Sequence, residues 1–81
     1  MDVTFLMTSA LNPKAFGARL KAARLKHELS QEQLGKEVDV SKSTICLCEN
    51  GKVKDVSGSI LILMARRLNV TPSWLLFGES W

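Results

Sequence analysis

The sequence predicts an all-α fold, a compact bundle of five short helices. Three observations carry that reading. Apolar residues recur at helical spacing, and no run alternates with the period of a strand. Polar capping residues stand ahead of the apolar runs at Asn12, Ser30, Ser41 and Thr71, with a further start at Ser57 or Gly58. No stretch is internally repeated or of low complexity.

Taken in order, residues 1–11 form an N-terminal arm. Asn12-Pro13 then opens the first helix, with Asn as N-cap and Pro at the first helical position. Phe16, Leu20 and Ala23 share one face of it, and the helix is expected to run to about Glu28. Ser30 and Gln33 have the spacing of a capping box, flanked by Leu29 and Leu34 as a hydrophobic staple. The second helix therefore covers 31–38 and buries Leu34 and Val38. Gly35 leaves room on it for another helix to approach, at some cost in propensity. Ser41 caps a third helix over 42–49, with Ile45 and Cys48 inward, and Gly51 is placed to end it in the left-handed conformation. KVKDVSG reads as a polar loop. The fourth helix runs to Leu68 with Leu61, Met64, Ala65 and Leu68 inward. Thr71-Pro72 opens a short fifth helix carrying Trp74, Leu75 and Leu76, and Gly78 ends it. Each helix is too short to be stable alone in water, so they form only by packing on one another.

At 81 residues the chain makes one domain, 12–78, with a tail at 79–81. The charge balance is 11 basic against 8 acidic residues, a formal net charge of +3. The excess is concentrated: between Lys14 and Lys54 there are nine basic and five acidic side chains. That permits contact with a polyanion without requiring it. Cys46 and Cys48 are two apart, so on a helix they point in different directions and cannot bridge. Without a disulfide framework a reducing cytoplasm is expected. The start MDVTFLMTSAL has no basic leading region, and ILILMA falls far short of the ~20 apolar residues of a membrane span.

Enzyme chemistry finds little footing. Gly51-Lys52 hints at a phosphate loop, but Cys46 stands where that loop needs Gly and Val53 where it needs Ser or Thr. His27 has no evident nucleophile beside it, and Cys46, Cys48 and His27 do not give the spacing of a metal site. No cofactor is called for. The third helix has a spare face instead. With Ile45 and Cys48 turned inward, Lys42, Ser43, Cys46 and Leu47 take much of the remainder. A helix of two turns held at a steep angle by a tight turn is enough to enter a major groove about 12 Å wide.

Residues from about Phe16 to Gly78 resemble the helix-turn-helix domain of lambda-type phage repressors and Cro proteins. SQEQLGKEVDVS, STI, ENGK and LNVTPSWLLFG carry the resemblance, which is specific in combination and spacing. It implies a sequence-specific transcriptional regulator, a phage or prophage repressor that binds a palindromic operator in double-stranded DNA as a homodimer. It implies a phosphate contact by Gln31. Ser41, Lys42, Ser43 and Leu47 are implied to face base edges or adjacent phosphates. Cys46 and Leu47 offer apolar surface to thymine methyls. Asn50, Lys52 and Lys54 match the family's backbone-contacting loop, and Arg24 with Glu49 a semi-buried ion pair. The turn carries Asp39 where the family usually has Gly. Between 42 and 48 only Lys42 is a strong hydrogen-bond donor. Trp74, Leu75 and Leu76 are expected in the core; part of that set, with Phe77 and Trp81, and with Ile62 and Leu63 on the fourth helix, offers surface for a dimer. The competing class is an antitoxin or co-regulator that acts mainly by binding another protein.

Overall fold

The computed structural model describes residues 12–53 and 55–79. The expected arm at 1–11, Lys54, and Trp81 lie outside the described residues. The described chain forms α1 (Pro13–Lys26), α2 (Gln31–Val38), α3 (Lys42–Glu49), α4 (Gly58–Arg67) and α5 (Pro72–Phe77), with no strand among them. None of these helices is long and apolar enough to cross a membrane.

The N-termini are fixed by side chains. Asn12 Oδ1 accepts from Ala15 N at 3.1 Å. Ser30 Oγ accepts from Gln33 N at 3.0 Å while Gln33 Oε1 accepts from Ser30 N at 2.8 Å, so the capping box closes in both directions. The hydroxyls of Ser41, Ser57 and Thr71 cap α3, α4 and α5 by accepting from Thr44 N, Ile60 N and Trp74 N, without the return bond of a capping box. Each cap satisfies one of the N–H groups a helix start leaves without a partner.

The C-termini are less uniform. Gly51 and Gly78 take positive φ after α3 and α5. After α1, α2 and α4 the same conformation falls on Glu28, Asp39 and Asn69, at φ of 56°, 62° and 56°. Asp and Asn tolerate it through short polar side chains; Glu does not share that advantage. The sequence places the end of α1 near Glu28, but the helix stops at Lys26. Glu28 reverses the chain so that Leu29 N can reach the Arg24 carbonyl at 3.1 Å.

The helices surround one core. Phe16 and Leu20 of α1, Leu34 and Val38 of α2, Ile45 of α3, Leu61 and Met64 of α4 and Leu75 of α5 are fully or almost fully removed from solvent. Every inward residue expected on α2, α3 and α4 is buried, Cys48 and Ala65 included. Val53 and Val56, assigned to a polar loop by composition, pack half-buried against the same core. The packing pairs α1 with α3 and α5, α2 with α3 and α4, and α4 with α5. Two glycines set the closest approaches. A Cβ on Gly35 would stand 2.6 Å from the Val40 carbonyl oxygen, so what this glycine admits is the turn into α3 rather than a separate helix. A Cβ on Gly17 would stand 2.7 Å from the Glu49 carbonyl oxygen, which puts α1 directly against the last turn of α3.

Candidate nucleic-acid interface

The turn between α2 and α3 is short because Asp39 takes the left-handed conformation. Val40 N donates back to the Gly35 carbonyl at 2.8 Å. Ser41 then starts α3 with its hydroxyl 3.1 Å from Thr44 N. Ile45 and Cys48 anchor α3 in the core and leave its other face outward. Ser41, Lys42, Ser43 and Asn50 are exposed, Leu47 is 49% exposed, and Cys46 is half-buried. The Cys46 sulfur accepts from Asn50 Nδ2 at 3.3 Å, so the thiol is tied to the residue that ends the helix.

The last residue of α3 is the hub. Arg24 Nε donates to Glu49 Oε2 at 2.6 Å and Arg24 Nη2 to Glu49 Oε1 at 3.0 Å, a bidentate pair with side chains 9% and 3% exposed. The third guanidinium nitrogen, Nη1, donates to the Leu29 carbonyl at 2.7 Å. Gln31 Nε2 donates to Glu49 Oε1 at 3.1 Å. One carboxylate therefore holds α1, the first residue of α2 and the end of α3 in fixed relation. Burial alone would disfavour both charges; the two-pronged geometry offsets it. The hydrogen bonds that Arg24 donates to Glu49 raise its pKa above the ordinary arginine value, with desolvation opposing and the carboxylate's charge adding to the rise. Burial, with the charge of Glu49 beside it, pushes the Cys48 thiol up.

Gln31, matched to a phosphate contact, is thus also bonded inside the protein. An ionised carboxylate only accepts, so the amide nitrogen must be the atom that faces Glu49. That amide keeps a second N–H. Lys42 and Lys52 are exposed and, among the described residues, have no carboxylate within ion-pair distance. Arg24, Lys36 and Arg67 are instead engaged by Glu49, Glu32 and Glu37. Among the described residues, Lys42 at the start of α3 and Lys52 after its end are thus cations without an ion-pair partner.

Two residues that fix the site have no distinguishing pattern in the sequence. Gly17 reads as an ordinary helix glycine, yet it sets the α1–α3 distance. Arg19 reads as surface charge, yet its Nε donates to the Leu75 carbonyl at 2.9 Å and its Nη2 to the Leu76 carbonyl at 2.6 Å, clasping the end of α5. The only hint in either case is position: one helical turn separates Phe16 from Leu20, and both residues lie between them.

Comparison with known proteins agrees with this geometry. A family model described as helix-turn-helix matches residues 20–75. The HTH-type transcriptional regulator PrtR of Pseudomonas aeruginosa is 39% identical over 73 residues, which are 90% of this chain and 28% of that protein. This chain thus spans little more than a quarter of that regulator's length. The P22 c2 repressor, solved in complex with a synthetic operator, superposes with a TM-score of 0.75 at 33% identity, covering 79% of this chain and 96% of that one. The restriction-modification controller protein C.AhdI from Aeromonas hydrophila gives 0.70 at 30% identity, covering 78% and 94%. The chain belongs to the helix-turn-helix family of lambda repressor and Cro-like DNA-binding domains.

Proposed function

We propose that this chain is a sequence-specific transcriptional regulator of phage or prophage origin that represses by binding a palindromic DNA operator as a homodimer in the cytoplasm. The observation that carries the reading is α3 itself. Its inner residues Ile45 and Cys48 are buried in the core, while Ser41, Lys42, Ser43 and Leu47 on its outer side are exposed and Cys46 is half-buried. Lys42, Ser43, Cys46 and Leu47 read base edges, Lys42 by hydrogen bonding and Leu47 and Cys46 by contact with thymine methyls. Gln31 donates its second amide N–H to a phosphate, and Asn50, Lys52 and Lys54 hold the backbone beyond α3. Exposed Ile62, Leu63 and Phe77 support a second copy as partner. The two α3 helices then enter successive major grooves about 34 Å apart.

Selection of bound sites from a random DNA pool tests this directly, and the expected result is a consensus with two-fold symmetry. Lys42→Ala is expected to weaken binding to that consensus by about 1–3 kcal/mol with little effect on random DNA. Lys52→Ala weakens both alike. Equal losses from both variants would refute the division of roles. The same apolar surface at Ile62, Leu63 and Phe77 supports a second reading, an antitoxin or co-regulator engaging another protein. Salt separates the two, because binding through phosphates falls steeply with ionic strength and binding through an apolar surface need not.

A further inference from the structure

We propose that Lys14, in the first turn of α1, is an additional DNA-backbone contact that extends the phosphate-binding edge beyond the loop after α3; this rests on the DNA-binding reading above. The first turn of α1 lies against that loop. A Cβ built on Gly51 would stand 3.0 Å from Lys14 Cγ and 3.2 Å from Lys14 Cα. Gly51 also holds φ at 73°, so it accommodates both the reversal and the contact only because it lacks a side chain. One turn further along α1, Gly17 is in contact with the Cys48 and Glu49 carbonyls. Two successive close approaches therefore fix α1 to the end of α3. The backbone of Lys14 is thereby held against Gly51, the residue between Asn50 and Lys52 in the chain.

Lys14 is exposed, and among the described residues no carboxylate lies within ion-pair distance of it. Its ammonium sits on a flexible four-carbon stem, suited to a phosphate as a point charge rather than to a base edge. Among the described residues Lys14 and Lys52 are thus two cations without a carboxylate partner, the first packed against Gly51 and the second next to it in the chain. A duplex gripped by Lys52 along its backbone brings neighbouring phosphates within reach of Lys14. A competing, purely structural role exists: a cation near the C-terminus of α3 complements the negative end of that helix. Such a role affects folding and not the dependence of DNA affinity on salt.

The test measures affinity of the full chain for a random-sequence DNA duplex across a salt series, by fluorescence anisotropy. Each phosphate neutralised contributes about 0.9 to the slope of log affinity against log salt. Lys14→Gln is expected to flatten the slope by about that amount, with Lys14→Arg retaining it and Arg66→Gln, an exposed cation at the end of α4, leaving it unchanged. A steep wild-type slope that Lys14→Gln does not alter overturns the inference while the DNA-binding reading stands. A lower melting temperature with the slope intact also overturns it, in favour of the helix-end role. A wild-type chain whose affinity for the duplex ignores salt overturns the DNA reading and this inference together.

Discussion

Two arginines of α1 perform outwardly similar tasks, each bonded to the end of another helix, and they differ in what they hold. Arg24 grips a carboxylate at the end of α3; Arg19 grips bare carbonyls at the end of α5. At Arg24 both charges are almost sealed from water, so each requires the other. At Arg19 the acceptors are helix-end carbonyls that water can satisfy when the arginine is gone. The lesson is that a count of hydrogen bonds does not rank the two ends: the consequence of loss depends on what is left behind.

That ranking can be broken by mutation. Arg24→Met should be the most damaging change, destabilising by on the order of 3–5 kcal/mol, because Glu49 is left buried and without its cation. Urea unfolding measures it, and a cost below that of Arg19→Met would reverse the comparison. Arg19→Met should cost less, about 1–2 kcal/mol, with α5 loosening first in amide hydrogen exchange. Glu28→Gly should act in the other direction. It removes a left-handed strain at the turn that delivers the Leu29 carbonyl to Arg24, for a gain of about 0.5–1 kcal/mol after the added freedom of the unfolded chain. The smallest effect is alkaline. Cys48 lies next to Glu49, and its thiol pKa is raised in the folded state. The unfolded chain therefore loses that proton first, so stability present below the ordinary thiol pKa, about 8.5, declines as pH rises through it toward the folded value. Cys48→Ala should abolish this increment of pH dependence, seen as the difference between the two proteins' unfolding curves across that range.

The two ends also differ in how readable they were. Helix starts were legible because a cap is local: Asn12-Pro13, Ser30 with Gln33, Ser41 and Thr71-Pro72 each state their role within four residues. The exposed face of α3 followed from Ile45 and Cys48 turning inward. Pairing Arg24 with Glu49 came only through the family resemblance, since nothing in the spacing brings those two together. Arg19 could not be read at all, because its acceptors are backbone atoms 56 and 57 residues away, which no residue type marks. The end of α1 has no clear mark in the sequence because its left-handed position falls on Glu28 instead of a glycine. The burial of Val53 and Val56 was hidden for a different reason: an irregular segment has no period from which an inward side could be inferred.

If the proposed base-reading role of α3 holds, its split between buried and exposed residues has a practical consequence for retargeting this domain. Ile45, Cys48 and Glu49 fasten the helix; Lys42, Ser43 and Leu47 stand clear of those fastenings. The second group can be exchanged as a cassette, and a library confined to it should return folded proteins at high frequency. Randomising Glu49 alongside them would instead mix collapsed scaffolds with altered preferences, and the two would look alike in any reporter assay.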